Sequence, residues 1–192
     1  MTRRILLAKD PKLRRSSRPV GKLDKKTLSV IKDLQDTLKK QTNPPGVGLA
    51  APQLGVFSRI FLVLDGKKSI VFVNPEIVEA SKKTNDPLKA KDADFNTVEQ
   101  DNPTMEGCLS LPNVYGPVVR SATITVRYQT PRIASSEWLL VEEEKGFKGF
   151  LAQVIQHEID HLEGILFVDR LLEQKRGLFV IKNNEWQEIS FP

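Results

Sequence analysis

Cysteine and histidine are both scarce in this sequence, which has one cysteine and two histidines among 192 residues. A single cysteine excludes a disulfide bond within the chain, and this fits either a reducing compartment or a thiol held by a metal ion. The sequence also lacks an apolar run long enough to span a membrane, and the run at residues 5–8 is too short for a signal-peptide core. We therefore expect a soluble, cytoplasmic protein.

Acidic and aromatic residues are rare at the N-terminus, where residues 1–40 contain thirteen Lys and Arg, four Asp and no aromatic side chain. An Arg-rich start is compatible with an organellar transit sequence that was trimmed, and a basic flank can also favour ribosomal RNA or another acidic surface. Without aromatic side chains to stack on bases, a solvated surface is the simpler interpretation. We predict no specific nucleic-acid partner.

Composition favours one compact domain, because 40% of the residues are hydrophobic and 28% are charged, and no repeat or low-complexity tract occurs. We predict a single catalytic domain over residues 1–192. Residues 81–104 are the least apolar part and are predicted to form a surface insertion, and residues 171–192 a C-terminal extension that forms a hairpin. The expected fold is α+β, with short antiparallel sheets around a central buried helix.

Several secondary-structure elements can be predicted from local patterns. Asp24 is a candidate cap for a helix that runs to about Gln41. Hairpins are predicted where Val, Ile and Phe are enriched around turn residues, and further strands where apolar residues alternate. These strands are expected at residues 56–65, 69–73, 122–128, 137–142, 178–181 and 186–189.

Both histidines lie in one H-E-x-x-H motif, formed by His157, Glu158 and His161. The pattern from Gly146 onward predicts a helix that stops at Gly164. Residues four apart share a helix face, so both imidazoles can reach one cation with the carboxylate beside it. The acidic run at residues 142–145 would then lie just before the positive N-terminal end of the helix dipole and stabilise the helix. The alternative is an ordinary buried helix whose histidines bond neighbouring carbonyls.

A metal centre with an open catalytic position usually has three protein ligands, and no third histidine exists in this chain. Cys108 is the candidate, since a thiolate binds zinc and ferrous iron well. A lone cysteine is more commonly a small buried apolar residue. Two other classes of protein stay open on these residues: a zincin-like peptidase and a catalytically silent binding module.

Three separated segments resemble the motifs of the peptide deformylases: residues 46–53 (GVGLAAPQ), 106–110 (EGCLS) and 156–161 (QHEIDH). Their order and joint presence are highly specific, and the resemblance runs from near residue 5 to about residue 170. It implies a hydrolase that removes the formyl group from N-formylmethionyl nascent polypeptides and releases formate. It also implies one divalent metal ion held by Cys108, His157 and His161.

The resemblance further implies a role for each site residue. Glu158 takes a proton from metal-bound water, which attacks the formyl carbon, and the oxygen that gains charge meets the Gln53 amide and the backbone N–H of Leu109. Fe²⁺ is expected in the cell, whereas Zn²⁺, Ni²⁺ or Co²⁺ can occupy a purified sample. The backbone of Val47 and Gly48 pairs with the substrate peptide.

The substrate's methionine side chain is expected against two residues of the predicted helix. Phe150 and Val154 share the sector of His157 and His161, and Val47 closes the pocket. A transient contact with the ribosome is a further expectation. However, the C-terminal segment does not resemble the basic helix with which many bacterial deformylases dock there.

Overall fold

The computed structural model describes residues 1–42, 45–66, 68–89, 104–134, 137–183 and 185–191. Over these residues the chain has a mixed α and β fold with antiparallel sheets and three α-helices. The helices are α1 (Lys25–Leu38), α2 (Gly149–Leu162) and α3 (Phe167–Glu173). The strands are β1 (Gly48–Ala50), β2 (Ile60–Asp65), β3 (Lys68–Ala80), β4 (Thr84–Asn85), β5 (Glu106–Cys108), β6 (Leu111–Gly116), β7 (Arg120–Ser121), β8 (Thr123–Ala134), β9 (Glu137–Lys148), β10 (Leu178–Lys182) and β11 (Glu185–Ile189).

The largest sheet has the strand order β1-β2-β3-β8-β9 and is packed between α1 and α2. Alternate residues of β2 point to opposite faces, so Ile60 and Leu62 join the cluster under α1 while Phe61 and Val63 join the cluster under α2. This two-sided burial explains why β2 is a continuous hydrophobic run rather than an alternating one. Helix α2 is thereby held against the face of the sheet opposite α1.

Helix α1 begins directly after the predicted cap, Asp24, but it ends earlier in the chain than predicted. The side chain of Asp24 accepts a hydrogen bond of 2.8 Å from the backbone N–H of Thr27. Its inward face buries Ile31, Leu34 and Leu38. The helix ends at Leu38 and not near Gln41.

The start of α2 corrects the sequence prediction. Residues 146–148 continue β9, whose pairing with β8 extends to Thr123 opposite Lys148, and the helix begins only at Gly149. The run at residues 142–145 is therefore part of a strand and does not act on the helix dipole. Its Glu144 instead forms an ion pair of 3.0 Å with Arg127 across the β8–β9 ladder.

A second sheet has the order β11-β10-β6-β5, and Cys108 is the last residue of β5, the strand at one end of this order. The segment predicted as a C-terminal hairpin forms β10 and β11, which pair antiparallel from Leu178 opposite Ile189 to Lys182 opposite Glu185. Helix α3 had no counterpart in the sequence prediction.

The predicted surface insertion, residues 81–104, is described only at its two ends, and residues 90–103 lie outside the described ranges. Near one end, the carboxylate of Asp86 is buried and receives two hydrogen bonds from Arg176, of 2.7 and 2.8 Å. Thr104, at the other end, is buried against Gln153 of α2. Within the part of the chain that the structure describes, no helix is both long and apolar enough to cross a membrane.

Candidate metal centre

Three potential metal ligands from two separate elements meet beside the large sheet. Cys108 ends β5, and His157 and His161 lie one turn apart on α2. One donor atom from each residue lies within 4.8 Å of the others. The Cys108 Sγ atom and the His161 Nε2 atom are 3.2 Å apart. The structure therefore brings together the three residues that the sequence analysis proposed as ligands.

The donor set fits a divalent transition metal. Bond lengths near 2.0–2.3 Å in a tetrahedral site imply about 3.5 Å between two ligand atoms, close to the observed separation of Cys108 Sγ and His161 Nε2. The Nδ1 atom of His157 is 3.0 Å from Glu106 Oε2, so its Nε2 atom is left for an ion. One thiolate and two imidazoles suit zinc or ferrous iron.

A network of buried charges holds the His157 ring, and sequence reasoning missed it. Arg120 donates two hydrogen bonds to Glu106, of 2.7 and 3.0 Å, and a third of 2.6 Å to Asp160. Arg170 of α3 binds the same Asp160 with bonds of 3.0 and 2.6 Å. Glu106 and Asp160 both lie within the recognised motifs, but only the fold brings Arg120 between them.

The charged groups around the centre shift one another's pKa. Burial alone would raise the pKa of Glu106, but Arg120 and His157 outweigh burial and hold it at about 2. Burial also opposes ionisation of Cys108, yet the neighbouring His161 and His157 rings lower the pKa of its thiol well below the ordinary value. The thiolate, which is the metal-binding form, is therefore favoured here.

Glu158 lies beside the ligands in a different environment. Its side chain is buried, and burial raises the pKa of its carboxyl to about 7. The Oε2 atom has no hydrogen-bond partner among the residues that the structure describes. Gly48 of β1 passes so close that a Cβ at that position would overlap the carboxylate. A carboxyl of this kind can accept and release a proton near neutral pH.

The Gln53 side chain is buried next to the thiol. Its Oε1 atom accepts a hydrogen bond of 2.8 Å from the backbone N–H of Ala50. Its Nε2 atom lies 3.1 Å from the hydroxyl oxygen of Ser110 and 3.6 Å from Cys108 Sγ. The amide therefore presents its nitrogen to the centre.

The predicted peptide-binding residues lie at an edge of the large sheet. The carbonyl oxygen of Val47 accepts a hydrogen bond of 2.8 Å from Leu64 N–H, so its backbone faces β2. Because backbone groups alternate along a strand, the N–H and C=O of Gly48 face away from β2. Strand β1 ends the sheet order among the described strands. Of the two residues, Gly48 thus offers the backbone groups at the edge.

Three predicted site residues remain: Leu109, Phe150 and Val154. Leu109 follows Cys108 in the turn between β5 and β6, and its side chain packs against the cluster under α1. Phe150 and Val154 are half-buried on α2, and Val154 packs partly against the core.

Comparisons with known proteins identify the family of this chain. The profile of the family described as polypeptide deformylase matches residues 2–177. The chain belongs to this family. Its relative from Pseudothermotoga lettingae, named peptide deformylase, is 40% identical over 92% of this chain and 86% of that protein. The resemblance predicted from three motifs is confirmed.

Solved deformylase structures share the fold. The peptide deformylase from Thermotoga maritima superposes with a TM-score of 0.70 at 34% identity and covers 88% of this chain and 97% of its own. A peptide deformylase from Acinetobacter baumannii, solved with Met-Ala-Ser bound, has a TM-score of 0.69 at 27% identity and covers 88% of this chain and 98% of its own. The deformylase family is metal-dependent, and the Cys108, His157 and His161 group could hold an ion.

Proposed function

We propose that this chain is a metal-dependent hydrolase that removes the N-terminal formyl group from N-formylmethionyl polypeptides and releases formate. Membership of the deformylase family establishes the class of enzyme. One observation carries the assignment to residues: the donor atoms of Cys108, His157 and His161 converge to within 4.8 Å next to a buried carboxyl.

Cys108, His157 and His161 would hold one divalent ion, with α2 as the central buried helix of the H-E-x-x-H motif. When bound, that ion polarises the formyl carbonyl and lowers the pKa of water toward neutrality. We propose Fe²⁺ in the cell on the strength of the family resemblance, and Zn²⁺, Ni²⁺ or Co²⁺ as substitutes that the same donors accept.

Glu158 is proposed as the general base and then the general acid. Its carboxylate takes a proton from the attacking water and returns it to the departing amine, so that water and the formamide become formate and a free α-amine. A pKa near 7 supports both halves of this cycle, because the group can be found in either protonation state at neutral pH. Its Oε2 atom, which has no hydrogen-bond partner within the described part of the chain, is an oxygen that can bind the water.

Two donors are proposed for the formyl oxygen as it gains negative charge. These are an Nε2–H of Gln53, whose nitrogen lies 3.6 Å from Cys108 Sγ, and the backbone N–H of Leu109, the residue that follows Cys108. Removing one donor of this kind typically raises the barrier by about 2.7–4 kcal/mol.

The substrate is proposed to bind as an added strand along β1. The outward N–H and C=O of Gly48 would pair with the peptide backbone, as exposed strand edges do in other peptide-binding proteins. Phe150 and Val154 would contact the methionine side chain, and Val47 would close that pocket. A lower kcat/KM for formyl-Ala-Ala than for formyl-Met-Ala is the expected result, and equal values would remove the pocket from the proposal.

We further propose that residues 1–192 work as one catalytic domain, with residues 171–192 as an extension. Pairing of β10 with β6 supports this, since β6 also pairs with the strand that carries Cys108. We also propose a cytoplasmic location, which the composition favours, and a transient contact with the ribosome, which the resemblance implies.

The direct experiment is formate release from formyl-Met-Ala by the Fe²⁺-loaded protein, measured with a coupled formate assay. Glu158→Ala should keep its metal and lose at least about a hundredfold in kcat. Glu163→Ala is the matched control, because Glu163 lies just past the same helix and pairs with Arg59 at the surface. Cleavage of internal peptide bonds without formate release would assign the chain to the peptidases instead.

A further inference from the structure

We propose that Ser110 is a positioning residue that fixes the side-chain amide of Gln53, so that one of its N–H groups points to the formyl oxygen. The inference rests on the proposed function, and it concerns a residue for which the sequence analysis gave no role. Ser110 itself would not touch the substrate, since it acts through the amide.

The Ser110 hydroxyl lies in the interior, on a backbone that is hydrogen-bonded in place. The residue is 1% exposed, and its backbone carbonyl accepts a hydrogen bond of 2.7 Å from the N–H of Ala8. Ser110 also directly precedes β6, which pairs on both sides with other strands. The hydroxyl oxygen therefore has a fixed place from which to accept the 3.1 Å hydrogen bond of Gln53 Nε2.

The two ends of the Gln53 amide have different partners. The Oε1 atom accepts from the buried N–H of Ala50, and the Nε2 atom donates to the Ser110 hydroxyl. A flipped amide would place N–H against N–H at Ala50 and leave that buried donor unsatisfied. The Ala50 N–H sets which end of the amide carries the nitrogen, and the Ser110 hydroxyl anchors that nitrogen, which does the proposed chemistry.

The second hydrogen of Nε2 remains for the substrate. One N–H group is taken by Ser110, and the other points toward Cys108 Sγ at 3.6 Å, a thiolate that would share its charge with a bound ion. A substrate oxygen on the thiol side of Gln53 that gains negative charge can replace the sulfur as the acceptor for that N–H. Without the Ser110 hydroxyl, the nitrogen loses the contact that directs its second hydrogen to this side.

The test is a double-mutant cycle with a matched control. Ser110→Ala should lower kcat for formyl-Met-Ala about tenfold, less than complete loss of an oxyanion donor, with KM changed by less than about twofold and metal content unchanged. In a Gln53→Ala background, Ser110→Ala should cost less than about twofold, because the amide through which it acts is gone. The control is Ser17→Ala, since Ser17 is a buried serine whose hydroxyl has no partner among the described residues.

A spectroscopic measurement tests positioning without activity. In the ¹H–¹⁵N spectrum of the Zn²⁺-loaded protein, the side-chain amide protons of Gln53 are identified by their loss in Gln53→Ala. Their exchange with solvent should be slow in the wild type and at least about tenfold faster in Ser110→Ala. If the wild type releases no formate but these protons respond as expected, the proposed function fails while the positioning role stands. Equal losses of kcat in both backgrounds, or unchanged amide exchange, would overturn the inference.

Discussion

Replacing Glu106 by glutamine tests whether the buried charge network supports the metal ligands. The glutamine is nearly isosteric, but its amide nitrogen cannot accept the hydrogen bonds that Glu106 receives from Arg120 and from the Nδ1–H of His157. Arg120, whose side chain is 6% exposed, would keep Asp160 as its one carboxylate partner among the described residues. Breaking one partner of a buried ion pair costs about 3–5 kcal/mol, and losing the residue that orients a metal-bound histidine costs about 10–100-fold in metal affinity.

Both quantities can be measured on the same Glu106→Gln sample. Urea unfolding followed by tryptophan fluorescence gives the free energy of unfolding, and competition with a chromophoric chelator gives the Zn²⁺ affinity. Glu144→Gln is the control, because its ion pair with Arg127 is exposed and should change stability by less than about 1 kcal/mol. A Glu106→Gln protein that loses less than 1 kcal/mol and binds Zn²⁺ as tightly as the wild type would refute the reasoning.

Two further predictions concern other parts of the chain. Gly48→Ala should lower kcat for formate release at least about tenfold while metal content is retained, because the added Cβ displaces the Glu158 carboxylate. Normal turnover would show that catalysis does not depend on the position of this carboxylate. Arg176 lowers the pKa of Asp86 in the folded protein. Their contact therefore stabilises the fold fully above the unfolded-state pKa of about 3.9, and this stabilisation is lost as the pH falls through the folded-state pKa. Asp86→Asn should cost about 2 kcal/mol at pH 7 in urea unfolding and progressively less below pH 4, and a constant difference across that range would contradict the ion-pair explanation.

The candidate ligands could be predicted because their signal is local. The spacing of His157 and His161 places both on one helix face wherever that helix packs, and the single cysteine left few choices for a third ligand. The role of Glu106 could not be predicted in this way. It depends on Arg120, a residue of a two-residue strand in another part of the fold, whose burial no local pattern indicates.

The errors in secondary structure have a physical cause as well. Phe147 is apolar at a spacing that suits the helix, but it is buried from β9 in the same core that α2 covers. Burial at the junction of a strand and a helix gives the same apolar pattern for either element, and the pairing of Thr123 with Lys148 decides between them. Helix α3 has only seven residues, too few for a periodic signal.

The central claim is that one sulfur and two imidazole nitrogens bind a single ion. X-ray absorption at the metal edge of the Zn²⁺-loaded protein tests it most directly, since zinc–sulfur distances near 2.3 Å and zinc–nitrogen distances near 2.0–2.1 Å are resolved. We predict one sulfur and two imidazoles in the spectrum, and loss of the sulfur shell in Cys108→Ser. A wild-type spectrum without sulfur, or with a single imidazole, would contradict the assignment of Cys108, His157 and His161.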